Sequence, residues 1–350
     1  MLASWTSFIA SQGLPGSVAW VPALVPALVL AFVLLLALWI DQHFGEPPAN
    51  VHPVVWMGNY LRLCGSVTVR CAPAPAFLLG ALAWWVGVLV VGALGWSLQV
   101  LLFWQVGEYR AHPDLPNGVE AALVAVLVAW ALKGMLSWRM LREEVGAVEL
   151  ALGQSLDAGR ERLSWLVSRD TTQLTEGQVR ESAIESLAEN LNDSVVAPIF
   201  WFVLLGLPGA AVYRFANTAD AMWGYRGVYR GKNWEWAGKW AARADDVLSW
   251  APARITALLL ALAAKGLPLR ALRQEARKTP SPNSGWPMAA MALALGISLS
   301  KPGVYSLNPQ GRSPGAADVV QAQNFGSKVL QALMYVALIA MIFVAIGAWS

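Results

Sequence analysis

The sequence predicts an all-α, polytopic membrane helix bundle with re-entrant or interfacial helices and a cytoplasmic helical insertion. Three observations predict it. Of 350 residues, 57% are hydrophobic and only 13% charged, about half the charged share of a soluble domain. Four apolar runs reach the roughly 20 residues needed to cross hydrocarbon: Trp20–Ile40, Phe77–Trp104, Val119–Trp138 and Val329–Trp349. The Lys and Arg residues outside them fall almost entirely on one side if only those four runs cross.

The first run follows Met1–Gly13, which has no Lys or Arg and so lacks the basic region of a signal peptide. Asp41-Gln42-His43-Phe44-Gly45-Glu46-Pro47-Pro48 and His52-Pro53-Val54 come directly after it. Asp41 and His52 there read either as interfacial groups or as part of a site. The third run carries Lys133 inside it. Three further apolar stretches are poorer spans: Val195–Tyr213 is interrupted by Gly206-Leu207-Pro208-Gly209, while Ile255–Ala264 and Trp286–Leu299 are short. They read as re-entrant or interfacial helices, which are tolerated where they pack on protein. Flexible connectors are expected at Thr279–Gly285 and Lys301–Gly315. The whole chain, 1–350, reads as one membrane domain whose charged region spans 139–328.

Charge orients this arrangement. With four spans, Asp41–Ala76 and Arg139–Lys328 share one face, and the other keeps Arg110 as its only Lys or Arg outside the spans. The positive-inside rule makes the shared face cytoplasmic, with the inner cell membrane as the location. Nineteen tryptophans suit a protein with much interfacial surface.

Composition also excludes classes. A net charge of +3 is too small and scattered for nucleic acid. Cys64 and Cys71 fit neither a disulfide framework nor a zinc spacing, and three histidines leave no His-rich metal site. Gly227–Asn233 is one residue short of a phosphate-binding P-loop and lacks its Ser/Thr; the dinucleotide fingerprint and the HExxH helix are absent. Gly311-Arg312-Ser313-Pro314-Gly315 matches G-x-S-x-G by chance, having no strand before it and a Pro after the Ser.

The chemistry concentrates between Ser168 and Arg254, where ionisable groups in a greasy chain are functional candidates by default. Thr175 and Gln178 form a capping-box signature for a helix start. On that helix Ile184, Leu187, Ala188 and Leu191 make an apolar stripe, and Glu181, Glu185, Glu189 and Asp193 recur every fourth residue. Like charges so spaced cost roughly 0.2–0.5 kcal/mol per pair. The row is either a solvated face with arginines nearby or an oxygen-ligand site for magnesium. Asp220 and Asp245-Asp246 form a second acidic set, in which one acid binds metal while another orients Arg243 or acts as a base. The plainer alternative is a helix-end salt bridge from Arg243 to Asp246. Arg169, Arg214, Arg226, Arg243 and Arg254 add planar forks suited to phosphate or carboxylate. Acids interleaved with arginines suit phosphoryl transfer.

These residues, in order, resemble the adenosylcobinamide-phosphate synthases of cobalamin biosynthesis over nearly the whole chain. The likeness runs through Asp41–Val54, Ser168-Arg169-Asp170 and Glu185-Ser186-x-x-Glu189-Asn190-x-x-Asp193 leading into Val196-Ala197-Pro198. It continues in Tyr213-Arg214, Asn217-Thr218-x-Asp220-x-Met222-x-Gly224-Tyr225, Ala242-Arg243-x-Asp245-Asp246-Val247-Leu248, Pro252-Ala253-Arg254 and Ser281-Pro282-Asn283-Ser284-Gly285-Trp286-Pro287. Two positions depart from the family pattern: Arg214 stands where Lys is usual, and Leu299-Ser300-Lys301 replaces a Leu-Gly-Gly turn.

The resemblance implies an ATP-dependent, ADP-forming amide ligase. It would join the free propionate of adenosylcobyric acid, through an acyl phosphate, to an aminopropanol phosphate or similar amino-alcohol phosphate. Implied with it are ATP and magnesium, a lipid bilayer, and other pathway membrane proteins or a second copy of the chain as partners. The site residues then sort into catalytic Glu185, Asp245, Asp246, Asp41 and His52, and metal-binding Glu189, Asp193, Asp220, Asp245 and Asp246. Arg169, Asp170, Asn190, Arg214, Asn217, Thr218, Arg226, Arg243 and Arg254 fall to the cofactor. A non-catalytic signalling or scaffold relative and a transporter remain as alternatives.

Overall fold

The computed structural model describes residues 21–111 and 117–347. Met1–Gly13, Trp20, His112 and Trp349 of the sequence reading lie outside them. The protein is an all-α membrane bundle, with two short antiparallel hairpins among the described residues. Its contacts divide it into two units, the first of residues 1–136, 198–242 and 334–350, the second of 137–197 and 243–333. Residues 198–242, within the charged region 139–328, fall in the first unit.

In the first unit, α1 (Val21–Phe44), α2 (Pro53–Thr68), α3 (Pro73–Ala111) and α4 (Asn117–Lys133) are joined by a stretch of α8 (Ala197–Trp223) and the hairpin β1 (Val228–Tyr229)–β2 (Lys232–Asn233). α4 packs on both α1 and α3. α3 owes its close packing to Gly80, Gly87 and Gly95, which lie about two turns apart on one face. A Cβ at these positions would meet the Ala237 carbonyl at 2.2 Å, the Phe215 ring at 2.0 Å and Pro208 at 3.0 Å. Small residues of this kind let backbones approach where apolar burial drives nothing.

The second unit holds α5 (Trp138–Leu152), α6 (Leu156–Leu163), α7 (Glu176–Leu191), a π-helical turn (Asn192–Val196), α10 (Trp250–Ala263), α11 (Leu269–Ala276), α12 (Gly285–Leu295) and the hairpin β3 (Leu299–Lys301)–β4 (Tyr305–Leu307). α9 (Lys239–Leu248) passes from the first unit into the second, and α13 (Ala316–Gly347) passes back. α7 is the axle, packed against α5, α12 and β3. Its capping box is formed: the Gln178 N–H donates to Thr175 Oγ1, and the Thr175 N–H donates to Gln178 Oε1 at 2.9 Å. Ile184, Leu187, Ala188 and Leu191 are fully buried. Glu181 and Glu185 are buried too, so the solvated-face reading fails for them.

Among the described residues, length and composition qualify four helical stretches to cross a membrane, namely Ala27–Phe44, Pro73–Gly107, Gly118–Leu152 and Glu176–Trp223. The bent pair α9–α10 makes a fifth if taken as one broken span. The interrupted run Val195–Tyr213 thus belongs to a long helical stretch, and its interruption is a backbone break at Gly206 (φ 71°, ψ −158°). Gln99 of α3 answers it, since its Oε1 accepts from the freed Leu207 N–H at 2.8 Å. A Cβ on Gly206 would lie 2.1 Å from that oxygen. The expected connector 301–315 is likewise ordered by β3–β4, by Asn308 N–H on Glu275 and by Arg312 paired with Asp318 at 2.6 Å.

Replacing Gln99 by Leu keeps the volume and removes the acceptor, leaving the Leu207 N–H bare in apolar surroundings. The variant should lose about 1–3 kcal/mol, read as a lower unfolding midpoint in detergent; an unchanged midpoint would show that the break satisfies itself.

Candidate functional site

Chemistry-bearing residues gather in separate places within each unit. In the first, Lys133 is wholly buried and ion-paired, 3.3 Å from Asp41 Oδ1 and 2.8 Å from Glu46 Oε1. The other Glu46 oxygen accepts from His52 Nε2 at 2.9 Å, and His52 Nδ1 accepts the Val54 N–H at 3.2 Å, capping α2. That cap fixes the tautomer, placing the ring proton on Nε2. Both nitrogens of His52 are engaged, one capping α2 and the other bridging to Glu46. Burial works to raise the Glu46 carboxyl, but His52 and Lys133 outweigh it and hold it below its ordinary value of 4.5.

Also in the first unit, α8 presents Arg214, Asn217, Thr218 and Asp220. Arg214 Nη1 lies 3.5 Å from Asn217 Oδ1, and the Thr218 hydroxyl donates to the Arg214 carbonyl at 2.7 Å. Gly224 follows because a Cβ there would sit 2.0 Å from Asp220 Oδ1. Beyond it Tyr225 stacks on Tyr229 at 3.6 Å, and Arg226 is exposed.

In the second unit, Arg169 Nη2 donates to Glu185 Oε2 at 2.6 Å. Asp170 builds the turn that carries Arg169, accepting from the Thr172 N–H at 2.9 Å and its hydroxyl at 2.8 Å. These donors hold the Asp170 carboxyl below its usual range. Tyr305 of β4 faces Glu185, and burial, then that carboxylate, pushes its phenol well above the usual range. Glu181, one turn away, accepts from the Ser300 N–H at 3.0 Å, from the Ser300 hydroxyl and from Ser298 Oγ at 3.4 Å. The departure at Leu299-Ser300-Lys301 therefore supplies a hydroxyl to a buried carboxylate.

Asn190, half-buried, donates to the Ser186 carbonyl at 2.9 Å. Past it the helix widens: the Ala197 N–H reaches back five residues to the Asn192 carbonyl, a π-turn of the kind frequent at functional sites. Asn192 Nδ2 donates to Asp193 Oδ1 at 2.7 Å there. On α9, Arg243 is exposed, Asp246 half-buried and Asp245 buried with the Ser249 hydroxyl 3.4 Å away. Arg254, expected at the cofactor, is engaged within the protein. Its guanidinium donates to the Trp250 and Pro282 carbonyls and to Asn283 Oδ1, and it lies between the Trp250 and Trp286 rings. It clamps the 279–285 connector.

Among the described residues no three His, Cys, Asp or Glu side chains gather as a metal cage. Magnesium needs none, being held by one or two carboxylates plus substrate phosphates. The donor set fits such a complex at one place above all. Glu185 Oε1 and Arg169 Nη1 are buried with no hydrogen-bond partner, one an acceptor suited to a hard cation and the other a donor suited to phosphate. Sequence reasoning missed Ser300, Tyr305 and the linking role of Lys133; only Lys133, a lone cation in a span, signalled its need for an acid.

The chain matches the family model described as CobD/Cbib protein over residues 34–342. The probable cobalamin biosynthesis protein CobD of Methanothermobacter thermautotrophicus is 40% identical over 279 residues, 78% of this chain and 85% of the relative. That of Pyrococcus furiosus is 38% identical over 305 residues, 87% and 96%. The cobalamin biosynthesis protein CobD of Dehalococcoides mccartyi is 36% identical over 280 residues, 78% and 85%. No solved structure matches the chain.

Removing the cation with Lys133→Met should cost about 3–5 kcal/mol, because Asp41 stays buried, and Glu46 half-buried, without it. Glu46 gives a pH signature. Its folded pKa is lowered, so its contribution to stability is complete above 4.5 and is lost as pH falls through the lower folded value. The stability gap between wild type and Glu46→Gln should close on acidification below that value; a gap constant with pH would show no ionised Glu46 in the network.

Proposed function

The chain belongs to the CobD/CbiB family of cobalamin biosynthesis, and from that premise we propose that it is an ATP-dependent amide ligase of the cell membrane. It joins the free propionate of adenosylcobyric acid to an amino-alcohol phosphate, giving adenosylcobinamide phosphate with release of ADP and phosphate. The observation that carries this reading is the family match over 34–342 on a chain that keeps its acids and arginines in order. The pair of half-buried Arg169 with buried Glu185, each with one buried atom lacking a hydrogen-bond partner, supports it.

Magnesium–ATP, when bound, would supply the phosphoryl group that makes the inert carboxylate a reactive acyl donor. Glu185, with Glu189 or Asp193, would hold the metal, and Arg169 would meet a phosphate oxygen through Nη1. Arg214, Asn217 and Thr218 form a mixed cationic, amide and hydroxyl surface suited to a second anionic group, such as the phosphate of the amine substrate, with Asp220 beside them for a metal. Such a phosphate anchor spends its binding on orienting the amine. Asp245 or Asp246 takes the proton that the amine loses as the C–N bond forms. Arg254 binds no substrate in this scheme. The charged surfaces face the cytoplasm, where corrinoid and nucleotide are both supplied.

Purified protein in detergent or lipid, given adenosylcobyric acid, aminopropanol phosphate, ATP and magnesium, should yield the amide by mass spectrometry. ADP release should require both acid and amine. Asp245→Asn and Asp246→Asn should fold, and at least one should lose about 10²-fold or more in rate, the usual worth of a general base. Folded wild type that makes no amide would point to a scaffold instead, and full turnover in both variants would make the acids structural. If 139–328 stays on one face, as the four-run reading of the sequence has it, impermeant labelling of cysteines placed at Ser164 and Lys232 of intact cells should fail at both; labelling at one alone would make Glu176–Trp223 a crossing.

A further inference from the structure

The helices α9 and α10 meet at a bend of 46°, immediately after the acids Asp245 and Asp246. A bend in a helix needs an identifiable cause and leaves backbone groups to be answered. One buried side chain grips both arms. Asn283, 4% exposed, donates through Nδ2 to the Asp246 carbonyl at 2.7 Å and accepts through Oδ1 from Arg254 Nη1 at 2.6 Å.

The surrounding motif is built to hold Asn283 in place. Ser281 Oγ accepts the Asn283 N–H at 3.2 Å and the Ser284 N–H at 3.3 Å. Pro282 offers its carbonyl to Arg254 at 3.0 Å, and Trp286 covers the guanidinium at 4.9 Å. Gly285 is required by close approach, since a Cβ would lie 2.1 Å from the Ala276 carbonyl. Each residue from Ser281 to Trp286 thus serves the grip or the turn that presents it.

We propose, resting on the ligase reading above, that Asn283 is a positioning residue: it locks the α9–α10 bend and so fixes where Asp245 and Asp246 stand. It touches no substrate. Its effect passes through the Asp246 peptide, so slack at this one contact displaces both acids together.

The test uses full-length protein in lipid, with Asn283→Asp and Asn283→Ala. The first keeps an acceptor for Arg254 and loses the donor to Asp246; the second loses both. In each, kcat for amide formation should fall about 10- to 10²-fold, as for an ångström-scale misplacement, with KM for ATP changed by less than about threefold. A second readout is independent of turnover. Nitroxides at Val247 and Leu262, exposed positions on the two arms, should give a narrow distance distribution by pulsed electron resonance, broadened in Asn283→Ala. Cys64 and Cys71 are replaced for this measurement. An unbroadened distribution overturns the proposal, as does a broadened one with undiminished kcat. Should Asn283→Ala not fold, Asn283→Asp carries both readouts. A wild type that makes no amide would sink the ligase reading instead, and the spin-label comparison then decides the lock alone.

Discussion

A charge or peptide group held away from water must be answered within reach of its own side chain, and this constraint organises the protein. Apolar helices alone would pack in many registers, since lipid is as apolar as leucine. What singles out one arrangement is the set of polar groups whose partners come from a distant segment. Lys133 fixes the loop after α1 to the end of α4, and Gln99 fixes α3 to the break in α8. Arg169 and Ser300 fix a turn and a hairpin to α7. Removing one member of such a pair leaves its mate stranded, which is costlier than never having had the pair.

The same constraint produces the candidate chemistry. α7 buries Glu181 and Glu185 one turn apart, where repulsion is least screened. Glu181 is met by neutral donors and Glu185 by a cation. The two carboxylates are thereby made unlike, although sequence spacing presents them as equivalent. A row of four acids becomes a row with distinct tasks: one held by a hairpin, one paired to arginine, and two reaching half-buried ground beside a π-turn.

Much of this was legible in the sequence. The helical class followed from run length and charge scarcity, and the α7 start followed from Thr175 and Gln178, because both are local properties. The family was legible from ordered motifs. What escaped was pairing between distant segments. Ser300 looked like a departure from a glycine turn, and nothing local says that its hydroxyl meets Glu181. Nothing local to Arg254 says that its fork meets two carbonyls and the Asn283 amide. The connectors at 279–285 and 301–315 read as loose from their Pro, Ser and Gly content, yet those residues serve tight turns and close approaches. The break at Gly206 was visible, but its partner on α3 was not.

The Lys133 network also constrains the order in which the chain can be assembled. Asp41 leaves the ribosome at the end of the first helix, long before Lys133 is made at the end of α4. Until α4 arrives, Asp41 and Glu46 lack the Lys133 ammonium and stay hydrated, so α1 can enter the bilayer only as far as its acidic end allows. Lys133 faces the mirror problem, since it cannot shed its water before it reaches those acids. The two helices therefore reach final depth together, in one late step. An insertion machinery that held α1 near the surface until α4 emerged would lower the barrier to that step.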